Sequence, residues 1–312
     1  MGTQDAIPDP VAEIPWLREL HEALTEDGSL DAIRNAVHFG PLRSVAVVSD
    51  YGGEHVGSEY KTYSFLFAAF EALQAWHERI LQLKSRCFPD MRTIEYKKLG
   101  ERLRQQALPE WLDLASRMPA SIVTVAVQRD IDYLFLPTEG DLRQVLQDQG
   151  FSGYSLPVAR KLIRIVHFMC FFASRVFGER HRVFWHTDRD SISGSGSSTL
   201  RAQLGAILYR VAKLYFSELP EHMGYSDGLD DPERLFEDAL SLPDLTAGAL
   251  ADKFTESREE LAHSKGRASI LRWIADDQKN LCHLTIRFDS HDPTPDGTRQ
   301  FVPKVVTLNC QD

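Results

Sequence analysis

Asp50, Asp188 and Asp244 are the carboxylates of this chain whose surroundings fit them for holding a cation. Asp50 closes the apolar run SVAVVSD at 44–50, Asp188 follows the apolar run VFWHT at 183–187, and Asp244 stands in LPDLTAGAL at 242–250. Carboxylates gathered at one point repel one another unless a proton or a cation lies among them. Mg²⁺ and Mn²⁺ suit such a group, being hard ions that take oxygen ligands, and magnesium keeps several waters. Two-metal phosphodiesterases hold a pair of such ions about 4 Å apart, one activating water and one steadying the leaving oxygen. Each acid also has a plainer role open to it. An Asp after a strand serves as a turn residue or cap, and Asp244 can cap a helix that starts after Pro243. Asp190 stands on the same stretch as Asp188, and the sequence does not separate the two as ligands.

Other motifs point away from alternative chemistries. The SGSGSS loop at 193–198 precedes a helix, where backbone N–H groups can receive a phosphate. It lacks the Gly-Lys-Ser/Thr ending of a Walker loop and reads as a linker. His55, beside Glu54, reads as a surface turn histidine before a proton shuttle. Trp185 and His186 read as packing residues of a buried strand, and Phe168, Phe171, Phe172 and Phe177 fall at helical spacing as core. No Gly-x-Ser-x-Gly elbow is present, which weakens a covalent hydrolase reading. Cys87, Cys170, Cys282 and Cys310 are scattered with no CxxC pair, the pattern of reduced thiols in a cytoplasm rather than of a zinc site.

The elements that must position these acids follow from periodicity. Residues 11–38 read as leading helices, and the valine-rich 44–50 as a central strand with 60–70 as its hairpin partner. A helix at 71–84, a strand at 92–96, helical segments at 99–106 and 110–117, and a strand at 121–127 come next. After them the pattern predicts a helix over 157–177, a fifth strand over 183–187 and a helix over 200–216. A turn-rich stretch at 221–231 precedes a helix at 239–253. A terminal hairpin pairs 281–288 with 301–308 across a loop at 290–298. This order makes one mixed α/β sheet with helices on its faces, and strand ends in such sheets meet at the edge where sites form. The longest apolar stretch, 162–177, holds Arg164, His167 and Arg175 and is too short to span a bilayer. The N-terminus lacks the cationic, apolar pattern of a secretory signal. At 312 residues, with 43% hydrophobic and 26% charged residues, the composition is that of a globular chain. A formal charge of −10 excludes a broad basic sheath for nucleic acid, though not an enzyme that meets nucleic acid through metal-laden carboxylates.

The run from Ala239 to Leu250 (ALSLPDLTAGAL) resembles the closing motif of the domain-of-unknown-function family 3800, Leu-Gln-x-Ala-Asp-Leu-x-Ala-Gly-Ala. Three shorter matches precede it in the family's order. Val48-Ser49-Asp50-Tyr51-Gly52-Gly53 is similar to the opening Asp-Glu-Ser-Gly, with Tyr51 in place of the family's Glu; Glu95-Tyr96-Lys97 is similar to a middle Glu-x-Lys; and Asp188-Arg189 is similar to a later strand-ending Asp with Arg. The resemblance spans roughly residues 43–255 and implies a ribonuclease-H-like fold. It further implies Asp50, Glu95, Asp188 and Asp244 as the acidic set around Mg²⁺ or Mn²⁺, with Lys97 meeting a phosphate or orienting a carboxylate. Read without it, Lys97 and Lys98 are equally a solvated pair at a helix start, and Arg189 an ion-pair partner of Asp188 or Asp190.

The expectation is therefore a ribonuclease-H-like mixed sheet with helices on both faces. Residues 1–42 form an N-terminal helical extension, 43–255 the main domain, and 256–312 a helix and β-hairpin extension. The expected function is divalent-metal-dependent hydrolysis of nucleic-acid phosphodiester bonds, DNA or RNA, by a cytoplasmic protein with no membrane partner. Asp50, Glu95, Asp188, Asp244 and Lys97 carry it. A catalytically silent binding module of the same fold, in a defence or mobile-element system, is the alternative, and a nucleotide phosphohydrolase is the third reading. The terminal hairpin offers an edge for a homodimer.

Overall fold

The computed structural model describes residues 14–39, 43–132, 134–135, 138–151, 153–188, 192, 198–226, 234–256, 265–276, 280–290 and 301–308. Two helices lead, α1 (Pro15–Glu26) and α2 (Ser29–Ala36). Strands β1 (Ser44–Gly52) and β2 (Tyr60–Ala69) follow, then α3 (Phe70–Cys87), a 3-10 turn at Tyr96–Lys98, α4 (Arg102–Ser116) and β3 (Ala120–Gln128). Next come α5 (Glu139–Asp148), α6 (Leu156–Val176), β4 (Arg182–Thr187), α7 (Ser198–Tyr215) and β5 (His222–Ser226). The chain continues through α8 (Leu235–Thr255), α9 (Lys265–Ala275), β6 (Leu281–Ser290) and β7 (Phe301–Val305).

Among the described residues seven strands form one mixed sheet in the order β5-β4-β1-β2-β3-β6-β7. β2 runs antiparallel to both β1 and β3, while β4 lies parallel to β1 and β5 parallel to β4. This five-stranded part is the ribonuclease-H-like arrangement expected from the sequence. β6 adds to it in parallel on β3, and β7 returns antiparallel on β6. The C-terminal hairpin thus extends the same sheet.

Alternation along the strands sorts the side chains into two layers. Val45, Val47, Phe65, Phe67, Val123 and Val125 face α1, α2, α6 and α7. Ala46, Val48, Leu66, Ala68 and Ile122 face α3, α4, α8 and α9. The phenylalanines of α6 are core, as their spacing predicts. Trp185 is buried, with its Nε1 donating to Ser49 Oγ at 2.9 Å, and His186 stacks on Phe236. Among the described residues no disulfide joins Cys87, Cys170 or Cys282, and no helix is long and apolar enough to cross a membrane.

Four local expectations are corrected. Residues 92–96 are not a strand, so 183–187 is the fourth strand and not the fifth. The Glu95 backbone is extended, but the Tyr96 N–H goes to a side chain of α8 in place of a ladder. The segments at 99–106 and 110–117 fuse into the single helix α4, with Pro109 inside it. The turn-rich stretch begins with a short strand, β5. Asp244 does not cap a helix, because α8 starts two turns earlier and carries Pro243 within it.

Candidate active site

Register brings the first two acids together. Ser49 pairs with Thr187 across the parallel β1–β4 ladder, so Asp50 and Asp188 leave neighbouring strands at the same level, a strand spacing of ~4.8 Å apart. Asp50 falls on the face of β1 shared by Ala46 and Val48, the face that α8 covers. Helix α8 reaches that strand closely because Gly52 has no side chain; a Cβ there would stand 2.8 Å from Ala247 O. Thr62 Oγ1 on β2 donates to the same carbonyl at 2.8 Å and fixes the helix at this height. Asp244, one turn before Ala247, is thereby delivered to Asp50.

The segment leading to the 3-10 turn supplies the rest, and it is fastened to α8 at three places. Tyr96 N–H donates to Asp244 Oδ2 at 2.7 Å, and Tyr96 OH donates to Asp252 Oδ2 at 2.5 Å. Between those acids lies Gly248, where a Cβ would stand 2.2 Å from the Tyr96 ring. The Asp244, Gly248, Asp252 stripe, spaced by four along one helix face, is thus a seat for a tyrosine. This gives the Ala-Gly-Ala run its physical reason. Upstream, Thr93 Oγ1 donates a short hydrogen bond to Asp238 Oδ1. Asp238 is completely buried with Lys84 Nζ at 2.7 Å, the lysine only 1% exposed, and His77 Nδ1 at 3.3 Å. Burial raises the Asp238 carboxyl, yet the bonds from His77, Lys84 and Thr93 outweigh it and hold the group below the usual carboxylate range.

Asp50, Glu95, Lys97, Asp188 and Asp244 line a single cleft of about 370 Å³, together with Glu54, Glu237 and Lys161. Burial, then Asp244 and Asp188, hold the Asp50 carboxyl well above the usual range, against Tyr51 N–H and Lys161. Burial likewise pushes Asp244 up to about 6, with Glu95 and Asp188 adding to it and Tyr96 N–H and Lys97 opposing. The acids feel one another, as crowded carboxylates must. Glu95 is the exception in aim. Its Oε1 accepts from Lys98 Nζ at 2.8 Å and lies 3.2 Å from Arg104 Nη2, so Lys98 is a partner of the acid while Lys97 lines the cleft. Among the described residues no three His, Cys, Asp or Glu side chains close around one point as a ready cation cage.

The donor set is nonetheless of the kind hard divalent ions take: carboxylate oxygens, with Asp50 and Asp244 held above their ordinary ionisation by burial first and by neighbouring carboxylates after it. Tyr51 falls on the other face of the sheet and bonds Ser49 Oγ and Thr187 Oγ1, each at 2.8 Å. Lys161 of α6 lies 4.8 Å above the Tyr51 ring and pairs with Glu54. Neither Lys161 nor the Thr93–Asp238–Lys84 support is apparent from sequence spacing. The one signal is a charge pattern: Arg160, Lys161 and Arg164 crowd the start of an otherwise apolar helix. His55 is exposed on the turn after β1. Arg189, Asp190, the 193–197 loop and Cys310 lie outside the described residues. Neither a protein-family model nor a curated protein matches this chain.

Proposed function

We propose that this cleft is the centre of a divalent-metal-dependent nuclease that hydrolyses phosphodiester bonds of nucleic acid. The reading is carried by the meeting of Asp50, Asp188 and Asp244, from two parallel strand ends and one helix, in a cleft that Lys97 also lines. Asp50, Asp188 and Asp244 would hold Mg²⁺ or Mn²⁺, joined by Glu95 once it leaves Lys98 and Arg104. Bound there, the ions supply the charge that activates water and steadies a leaving oxygen. Lys97 and Lys161 offset the repulsion that a substrate phosphate meets beside four acids. Millimolar Mn²⁺ is expected to raise the thermal midpoint by about 2–4 °C, as about 1 kcal/mol of ligand binding does for a chain near this size. It should also support cleavage of an oligonucleotide, and Asp50→Asn should abolish both responses.

A catalytically silent module that binds nucleic acid or protein is the second reading. The pairing of Glu95 with Lys98 and Arg104 favours it, because one of the four acids is already neutralised without a metal. A wild-type chain that shows neither the Mn²⁺ response nor cleavage decides for this reading.

A further inference from the structure

Beside the acidic cleft lies a cavity of opposite sign. It has a volume of about 330 Å³ and shares Tyr51, Glu54 and Lys161 with the cleft. Lys61 from β2, Arg129 just past β3, and Arg160, Lys161 and Arg164 from α6 line it, and among the described residues Glu54 is the one acid in its wall. This stands out in a chain of formal charge −10.

The positive charge is under-compensated. Arg160 pairs with Asp132 and Lys161 with Glu54. Among the described residues Lys61, Arg129 and Arg164 have no carboxylate partner. Arg129 spends its guanidinium on the carbonyls of Ser58, Gly53 and His55. Arg164, 3% exposed, donates to the Ile131 and Asp132 carbonyls, and its Nε finds no acceptor. Burial, then Arg164 and Arg129, lower the Lys61 ammonium below its usual range.

The backbone adds to this field. Pro157 and Val158, in the first turn of α6, line the cavity, and that turn has no acidic residue and no side-chain cap. A helix start already carries partial positive charge from its unpaired N–H groups, so cations placed there oppose stability. Arg160, Lys161 and Arg164 follow in the second and third turns with no acid between them, so the positive field of the helix start is continued and not balanced. An anion brought into the cavity relieves all of these strains together.

We propose that this cavity is a phosphate-receiving subsite that grips one phosphate of a nucleic-acid strand while the strand passes the acidic cleft. The choice of a strand over a small phosphate ester rests on the nuclease reading of the cleft; the phosphate chemistry does not. The test uses the full chain with Asp50→Asn, which prevents cleavage under either reading of the cleft. Binding of a labelled single-stranded oligonucleotide, a 5′-mononucleotide and inorganic phosphate is measured across a salt series. Adding Lys61→Gln should weaken oligonucleotide binding about tenfold and flatten the slope of log K against log salt by about 0.7, the loss of one phosphate contact. Lys61→Arg should retain both, and Arg160→Gln, on the same wall, should weaken binding as Lys61→Gln does. Unchanged affinity and slope in both neutralised variants overturn the proposal. Lys61-dependent binding of the mononucleotide with none of the oligonucleotide overturns the strand as ligand. If Lys61-dependent strand binding persists while wild type shows no Mn²⁺ response and no cleavage, the nuclease reading alone fails.

Discussion

Burial, and after it the neighbouring carboxylates, raises the Asp50 and Asp244 carboxyls and so lowers the stability of the chain at neutral pH. For Asp244 the sign follows from its two states. The folded carboxyl loses its proton at about 6 and the unfolded one near the ordinary 3.8, so stability is lost as pH rises across that window. Asp244→Asn removes the charge and keeps an oxygen to accept from Tyr96 N–H. It is expected to raise unfolding free energy at pH 7 by roughly 1–3 kcal/mol, read by urea denaturation in EDTA, while ending the Mn²⁺ response. Stabilisation by loss of a side chain is the mark of a residue kept for function. Asp50, Asp188 and Asp244 were legible because each follows or sits within a recognisable apolar element. Glu95 and Lys97 came only through the family resemblance, since the extended backbone around them has no ladder to betray its place.

At the scale of elements, the site depends on a strap, residues 93–98, tied to α8 through Thr93 and Tyr96. Its upstream knot is the buried Lys84–Asp238 pair. Breaking such a pair leaves an uncompensated charge inside, at a cost of about 3–5 kcal/mol. Asp238→Asn should lose that much stability and also loosen Glu95 and Lys97, whereas Lys84→Met with Asp238→Leu should recover most of the stability. Chemical denaturation of wild type and these two variants measures it. The long apolar or valine-rich segments, β1, β2, β3, α6 and α8, were readable because burial on one or both faces leaves a periodic trace. β5 was not, because HMGYS has a glycine and no apolar run and becomes a strand only by pairing with β4. The same limit hid Lys161, whose place beside Asp50 is set by how α6 meets the turn after β1.

Across the whole molecule, buried histidines set an acid limit, His283 of β6 and His167 of α6. His167 bonds Tyr215 OH at 2.8 Å and stacks on Phe135, and burial pulls its pKa from 6.5 down to about 3. Below 6.5 the unfolded chain takes up a proton that the folded chain refuses, so stability falls as pH drops from about 6.5 toward 3. Thermal melts of wild type and His167→Gln across that range isolate this share: the variant should lose less stability than wild type as pH drops. The two cavities divide along the sheet itself. Asp50 and Tyr51 are consecutive residues on opposite faces; Asp50 and Asp244 line the acidic cleft, Lys61, Arg160 and Arg164 the basic cavity, and the two meet at Tyr51, Glu54 and Lys161. A ligand that engages both must therefore straddle the end of β1 like a rope over a saddle. The thickness of the sheet then acts as a ruler: molecules shorter than the span can occupy one side or the other, and only longer ones gain from both.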